Sequence, residues 1–190
     1  VGNRALDDPG AFGVEHNDAL ALRDMGWLLA WASTAQEALE HVLIGYRIAE
    51  DSRVLMPMAL AMDGAFLTHS QHMIKVPSQE AVDTFLPRFD LGKRVMHPDN
   101  PVSIAPQVNE DWVMELRRQN WEAAKRARTI IPEVYKSFND VFGARYANPF
   151  FDEFMCEDAE VVLVGLGAVK MPAQTAVRRL GAIYVPNGMN

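Results

Sequence analysis

Three consecutive stretches constrain the fold more than any other part of the chain: WLLAWA at 27–32, TAQEALEHVLIGYRIAED at 34–51 and VLMPMALAMD at 54–63. The two apolar runs are short and bounded by polar residues, which is the pattern of buried strands. The intervening segment is a strong amphipathic helix. Thr34 stands as its N-cap with Glu37 three residues on, a capping box, and Leu39, Val42, Leu43 and Tyr46 recur at 3- and 4-residue spacing. Strand, helix, strand in this order predicts a parallel sheet covered by helices. Pro57 inside the second run predicts an irregular or edge position for that strand.

The remaining chain supports an α/β organisation with a change of character after Gly64. Residues 1–16 read as a strand end and a loop, and ALALRDM at 19–25 has helical character, with Asn17 or Asp18 as the cap. A short helix is predicted near 78–85, opened by Ser78 and stopped by Pro87, followed by a proline-rich extended linker over 86–106. A long helical region spans 109–142, with Pro132 expected to kink or break it. An apolar strand at 160–165, a glycine turn and a helix to about 180 follow, as at the opening of a second α/β domain. The expected division is 1–76, 77–156 and 157–190.

Bulk properties narrow the function. The chain has 190 residues, 49% hydrophobic and 23% charged, a composition typical of soluble globular proteins. Its longest apolar runs, about ten residues, are too short to span a bilayer, so no membrane association is expected. A net charge of −7 argues against nucleic acid as a partner, because phosphate binding needs clustered Lys and Arg. The one basic cluster, RRQNWEAAKRAR at 117–128, has helical spacing and few aromatics. A single cysteine, Cys156, excludes an internal disulfide and suggests a reducing, cytoplasmic setting. It also excludes an iron–sulfur cluster held by cysteines of this chain alone. The missing initiator Met suggests a piece of a longer polypeptide.

Ordered motifs add a family. NRAL at 3–6, EHNDALALRDMGW at 15–27 and EDSRVLMPMALAMDGAFLTHS at 50–70 are followed by VDTFLP at 82–87, HPDNPVSI at 97–104 and CEDAEVVLVGLGA at 156–168. Together they resemble the α subunit of the 2-oxoacid:ferredoxin oxidoreductases, over roughly residues 1–178. The resemblance implies the second half of a thiamine-pyrimidine-type parallel sheet domain, a linker with a long helix, and the truncated start of a transketolase-C-terminal-like domain. It implies oxidative decarboxylation of pyruvate or a related 2-oxoacid to an acyl-CoA, with electrons passed to ferredoxin. The implied cofactors are thiamine diphosphate with magnesium, bound mainly by other subunits or domains, and iron–sulfur clusters and coenzyme A elsewhere in the complex. The implied partners are the other subunits of the complex. No catalytic residue of the family's pattern is carried over; the glutamate that activates the aminopyrimidine would lie upstream of residue 1, so this piece alone is expected to be inactive. The arginine of the NRAL-like stretch, Arg4, corresponds to the residue that binds the substrate carboxylate. After AVRRL the pattern is left, and GAIYVPNGMN follows.

The individual residues carry competing readings. Arg4 is otherwise a solvated surface charge. His16, Asp18, Arg23 and Asp24 read as a helix-start network in which Asp18 caps and Arg23 pairs with a carboxylate; the alternative is a polar network near the cofactor, with Arg23 as a second anion contact. Asp63-Gly64 is a strand-end pair, either a turn or a ligand contact at the carboxyl edge of the sheet. His69 and His72 would present two nitrogens to a metal only on a helix, and no third ligand is placed to complete a site. Gly165-Leu166-Gly167 lacks the third glycine of a dinucleotide loop and reads as a tight strand-to-helix turn. Cys156 sits among acids that disfavour a thiolate, so a structural role is expected. Two further classes remain open: a non-catalytic α/β assembly module, and another thiamine enzyme of the transketolase-like kind that needs no electron-transfer partner.

Overall fold

The computed structural model describes residues 1–5, 13–105, 107–157 and 159–180. The departing tail 181–190 and part of the expected loop over 1–16 lie outside the described residues. Among these, strands β1 (Gly2–Asn3), β2 (Leu28–Ala32) and β3 (Met58–Asp63) form one parallel sheet in the order β1-β3-β2. Helix α1 is Asn17–Leu20, α2 is Ala35–Ala49, α3 is Gln79–Phe85, α4 is Glu110–Phe142 and α5 is Lys170–Leu180.

The β2–α2–β3 unit has the expected connectivity. Thr34 caps α2 by accepting from the Glu37 N–H at 3.1 Å, and the Glu37 carboxylate reaches back to the Ser33 N–H at 2.8 Å. The reciprocal half of the box therefore falls on the residue before the cap. Pro57 does not mark an edge. It lies just before β3, the central strand, and its carbonyl accepts from the Leu28 N–H at 2.9 Å. A residue at a strand's threshold loses no ladder hydrogen bond by being proline.

Helix α4 runs through Pro132 without interruption in its assignment. Its buried residues, Ala123, Ala127, Ile130, Val134, Tyr135 and Phe138, recur at helical spacing on both sides of the proline. They pack with Ile44 and Ile48 of α2 and Phe85 of α3 into the main core. This packing holds the helix across the missing hydrogen bond, while Pro132 itself faces solvent. The first half of α4 is different: Trp112, Val113, Met114, Leu116 and Trp121 are all exposed.

Among the described residues no strand forms over the expected run 160–165; Val162 holds a lone bridge position, and Val161, Val162, Leu163 and Val164 are exposed. A strand needs a neighbour to satisfy its backbone groups, and no described strand lies alongside this run. The glycine turn and the helix after it are present, as a 3-10 turn at Gly167–Val169 leading into α5. Among the described residues, no helix is long and apolar enough to cross a membrane.

Candidate functional site

The carboxyl edge of the sheet gathers most of the residues singled out in the sequence. Parallel pairing sets Asn3 opposite Asp63 and Trp31 opposite Ala61. Because side chains alternate along a strand, Asn3, Trp31 and Asp63 share one face. That face is covered by Ala19 and Leu20 of α1 and by Leu166.

Asp63 is the junction. It is buried, His16 Nε2 lies 3.0 Å from its Oδ1, and the Ala168 N–H donates to its Oδ2 at 2.6 Å. The His16 ring also stands edge-on to Trp31, with centroids 6.1 Å apart. One carboxylate thus ties β3 to the entry of α1 and to the turn before α5. Two glycines permit the approach. A Cβ on Gly167, whose φ is +69°, would sit 2.5 Å from Asp63 Oδ1, and one on Gly64 would sit 2.4 Å from the Asn3 carbonyl oxygen. The Gly64 N–H donates to that same oxygen at 2.9 Å.

Arg4 leaves this edge directly after Asn3. Its backbone N–H donates to Asp18 Oδ2 at 3.0 Å, and Asp18 Oδ1 accepts from the Ala19 N–H at 2.7 Å. The Arg4 residue is exposed, with Cγ beside the Gly64 position. Asp18 is therefore not the cap of α1. His16 occupies the N-cap position without a capping side-chain bond, and Asp18 instead holds the Arg4 backbone. Arg23 does not join the site: it pairs with Asp24 at 3.1 Å on the exposed surface. His69 and His72 lie in irregular backbone, so the helical spacing a two-histidine ligand pair requires is absent. The His69 ring meets the Thr68 hydroxyl at 2.8 Å. Cys156 is half-buried, and its Sγ contacts the Phe154 carbonyl.

A second polar cluster, which the sequence did not reveal, borders the first. Lys170, at the start of α5 and 13% exposed, pairs with Glu37 of α2 at 2.7 Å and with Asp152. Glu37 also accepts from the Ser33 N–H and hydroxyl. Burial resists ionisation of Glu37, but the bonds from Lys170 and Ser33 outweigh it and hold the carboxyl below its ordinary value. Burial works against the charged form of Lys170 too, yet Asp152 and Glu37 raise it above the usual lysine value. Burial drives His41 the other way, lowering it against the pull of Glu37 and Glu40. These groups line a cavity of about 50 Å³ with Trp31, Tyr135 and Tyr146. Among the described residues, Trp31 Nε1 and His41 Nδ1 are buried without a hydrogen-bond partner, as are both polar atoms of the Asn3 side chain. The local signal for this cluster was the capping-box glutamate, whose carboxylate was already committed near Ser33; its lysine lies 133 residues away.

The fold and this edge define the class: an α/β protein with a parallel sheet whose carboxyl end gathers polar side chains. Residues 1–136 match the model of the pyruvate flavodoxin/ferredoxin oxidoreductase family, thiamine diphosphate-binding, and the chain belongs to that family. It is 40% identical over 167 residues to the pyruvate synthase subunit PorA of Methanothermobacter thermautotrophicus, covering 88% of this chain and 43% of that protein. The PorA subunit of Thermotoga maritima is 32% identical over 180 residues, covering 95% and 45%. The alpha subunit of NADH-dependent phenylglyoxylate dehydrogenase from Aromatoleum evansii is 25% identical over 169 residues, covering 85% and 40%. The chain thus spans less than half the length of the curated relatives it matches.

Proposed function

We propose that this chain forms part of the α subunit of a thiamine diphosphate-dependent 2-oxoacid oxidoreductase, and that Arg4 grips the substrate carboxylate. The observation that carries this reading is the placement of Arg4. It is exposed at the carboxyl edge of a parallel sheet, and its backbone is fixed by Asp18. A guanidinium offers two coplanar donors that match a carboxylate, so one contact both holds and orients the acid. Orientation is the useful part. A fixed carboxylate places the neighbouring keto carbon for attack and lowers the entropic share of the barrier. The grip need not be tight, since binding that is equal in ground and transition states does not speed the chemical step.

The residues at this edge fit the substrate and not the cofactor's diphosphate end. Asp63 is engaged by His16 and Ala168, and Asp18 by Arg4 and Ala19, which leaves neither carboxylate open to a magnesium ion. Among the described residues no group of three His, Cys, Asp or Glu could hold a metal. We assign the diphosphate and magnesium, like the iron–sulfur clusters and coenzyme A, to other parts of the assembly. The similarity to pyruvate synthase subunits supports pyruvate or a close analogue as substrate, and the family's description is the support for ferredoxin as the electron acceptor. The units 1–76, 77–156 and 157–190 remain our division of the chain.

The test is Arg4→Ala in the intact complex. The Michaelis constant for the 2-oxoacid should rise and turnover fall, a loss of about 2–4 kcal/mol in kcat/KM, while thiamine diphosphate affinity stays nearly unchanged. Kinetics equal to those of the unsubstituted complex would reject the assignment.

A further inference from the structure

We propose that Lys170 is a positioning residue for the Arg4 edge, acting through the turn that it anchors. The inference rests on the functional reading of Arg4 given above. Lys170 touches neither Arg4 nor Asp63, but it follows the Gly167–Val169 turn directly, and the Ala168 N–H of that turn bonds Asp63. Its ammonium is fixed by two carboxylates from separate parts of the chain, Glu37 at the first turn of α2 and Asp152 in the segment before α5. The turn's own backbone bond, from the Lys170 N–H to the Gly167 carbonyl, closes it but does not tie it to its neighbours; the Asp63 bond holds it to β3, and the Lys170 pairs hold its other end to α2 and Asp152.

From Asp63 the connection continues through contacts already described. His16 holds the other carboxylate oxygen and opens α1, and Asp18 of α1 holds the Arg4 backbone. Gly64, next to Asp63, bonds the Asn3 carbonyl immediately before Arg4. The links are direct hydrogen bonds joined by steps of one or two residues along the backbone. If Lys170 loses its carboxylates, the turn is freed at one end, Asp63 loses a fixed donor, and both supports of Arg4 loosen. A shift of the guanidinium on the ångström scale is enough to change how a carboxylate is presented.

The experiment uses the intact complex carrying Lys170→Met, Lys170→Arg, Asp63→Asn and the double substitution Asp63→Asn with Lys170→Met. Steady-state kinetics with the 2-oxoacid are read together with hydrogen exchange at the Ala168 amide. Lys170→Met is expected to raise the Michaelis constant about tenfold with a smaller change in kcat, and to speed exchange at Ala168. Lys170→Arg should restore most of both, and the double variant should be no worse than Asp63→Asn alone, because coupled residues are non-additive. An unchanged Michaelis constant in folded Lys170→Met complex, or additive effects in the double variant, would overturn the proposal. Should Lys170→Met fail to assemble, Lys170→Arg decides: its longer, planar head must leave the Ala168 amide protected. If the unsubstituted complex shows no turnover of any 2-oxoacid, the functional reading fails. The exchange arm then still reports whether Lys170 holds the turn on Asp63, and unchanged Ala168 protection in Lys170→Met rejects that separately.

Discussion

His41 shows what burial does to a single titratable group. It sits on α2 between the rings of Tyr135 and Tyr146, with centroid separations of 6.1 and 5.7 Å. Burial lowers its pKa in the fold, while Glu37, Glu40 and Asp152 oppose that shift and Lys170 reinforces it. As pH falls below the ordinary histidine value of about 6.5, the unfolded chain therefore takes up a proton that the folded chain declines. Stability is present in full above that value and is lost as pH drops toward the folded pKa. Glu37 adds a second acid loss at lower pH, since its folded pKa lies below the ordinary value of 4.5. The free energy of unfolding from urea titration should thus fall between pH 7.5 and 5.5, by no more than about 1.4 kcal/mol per pH unit for one proton. In His41→Leu the dependence over this interval should flatten. The same slope in both proteins would mean that another group titrates. None of this was legible in the sequence, where His41 is one polar letter on an amphipathic helix. Its environment is made by residues about a hundred positions away.

At the scale of elements, local signals were read well and distant ones were not. The Thr34 cap, the Ser78 cap of α3 and the β2–α2–β3 order depend on residues within a few positions of each other. Each capping bond is present, at 3.1 Å for Thr34 and 3.3 Å for Ser78. The strand expected at 160–165 has every local quality of a strand, but pairing is a non-local requirement and the described residues supply no partner. Of the kink or break expected at Pro132, the break does not occur. The proline's local cost is real, since it removes the hydrogen bond to the Arg128 carbonyl, but Ile130, Val134 and Tyr135 are buried around it and the helix continues. Pro132→Ala should therefore stabilise the fold by about 1–3 kcal/mol, read as a higher urea midpoint with unchanged far-ultraviolet dichroism. A lower midpoint would show that the proline fits a bend the packing requires. The candidate site divides in the same way. Arg4 and Asp63 stood out from motif and strand end, whereas the Ala168–Asp63 and Lys170–Glu37 contacts cross more than a hundred residues and appear only in three dimensions.

For the whole molecule, the informative surface is apolar. The first half of α4 exposes Trp112 and Trp121, each 62% accessible, with Met114 at 75%, and the run Val161–Val164 is open as well. Soluble monomers rarely leave patches of this kind uncovered. Expressed alone, the chain should self-associate, whereas under the function proposed above it should enter a defined complex when the remaining subunits are present. Sedimentation velocity separates these cases, and a single monomeric species at micromolar concentration would contradict the expectation. The same tryptophans have an optical consequence. Trp31 is buried while Trp112 and Trp121 face water, so the emission of the dissociated monomer, at high dilution, should be weighted toward long wavelengths. Any neighbour that settles on α4 would then draw the spectrum toward the blue, giving the protein an unlabelled gauge of its own assembly.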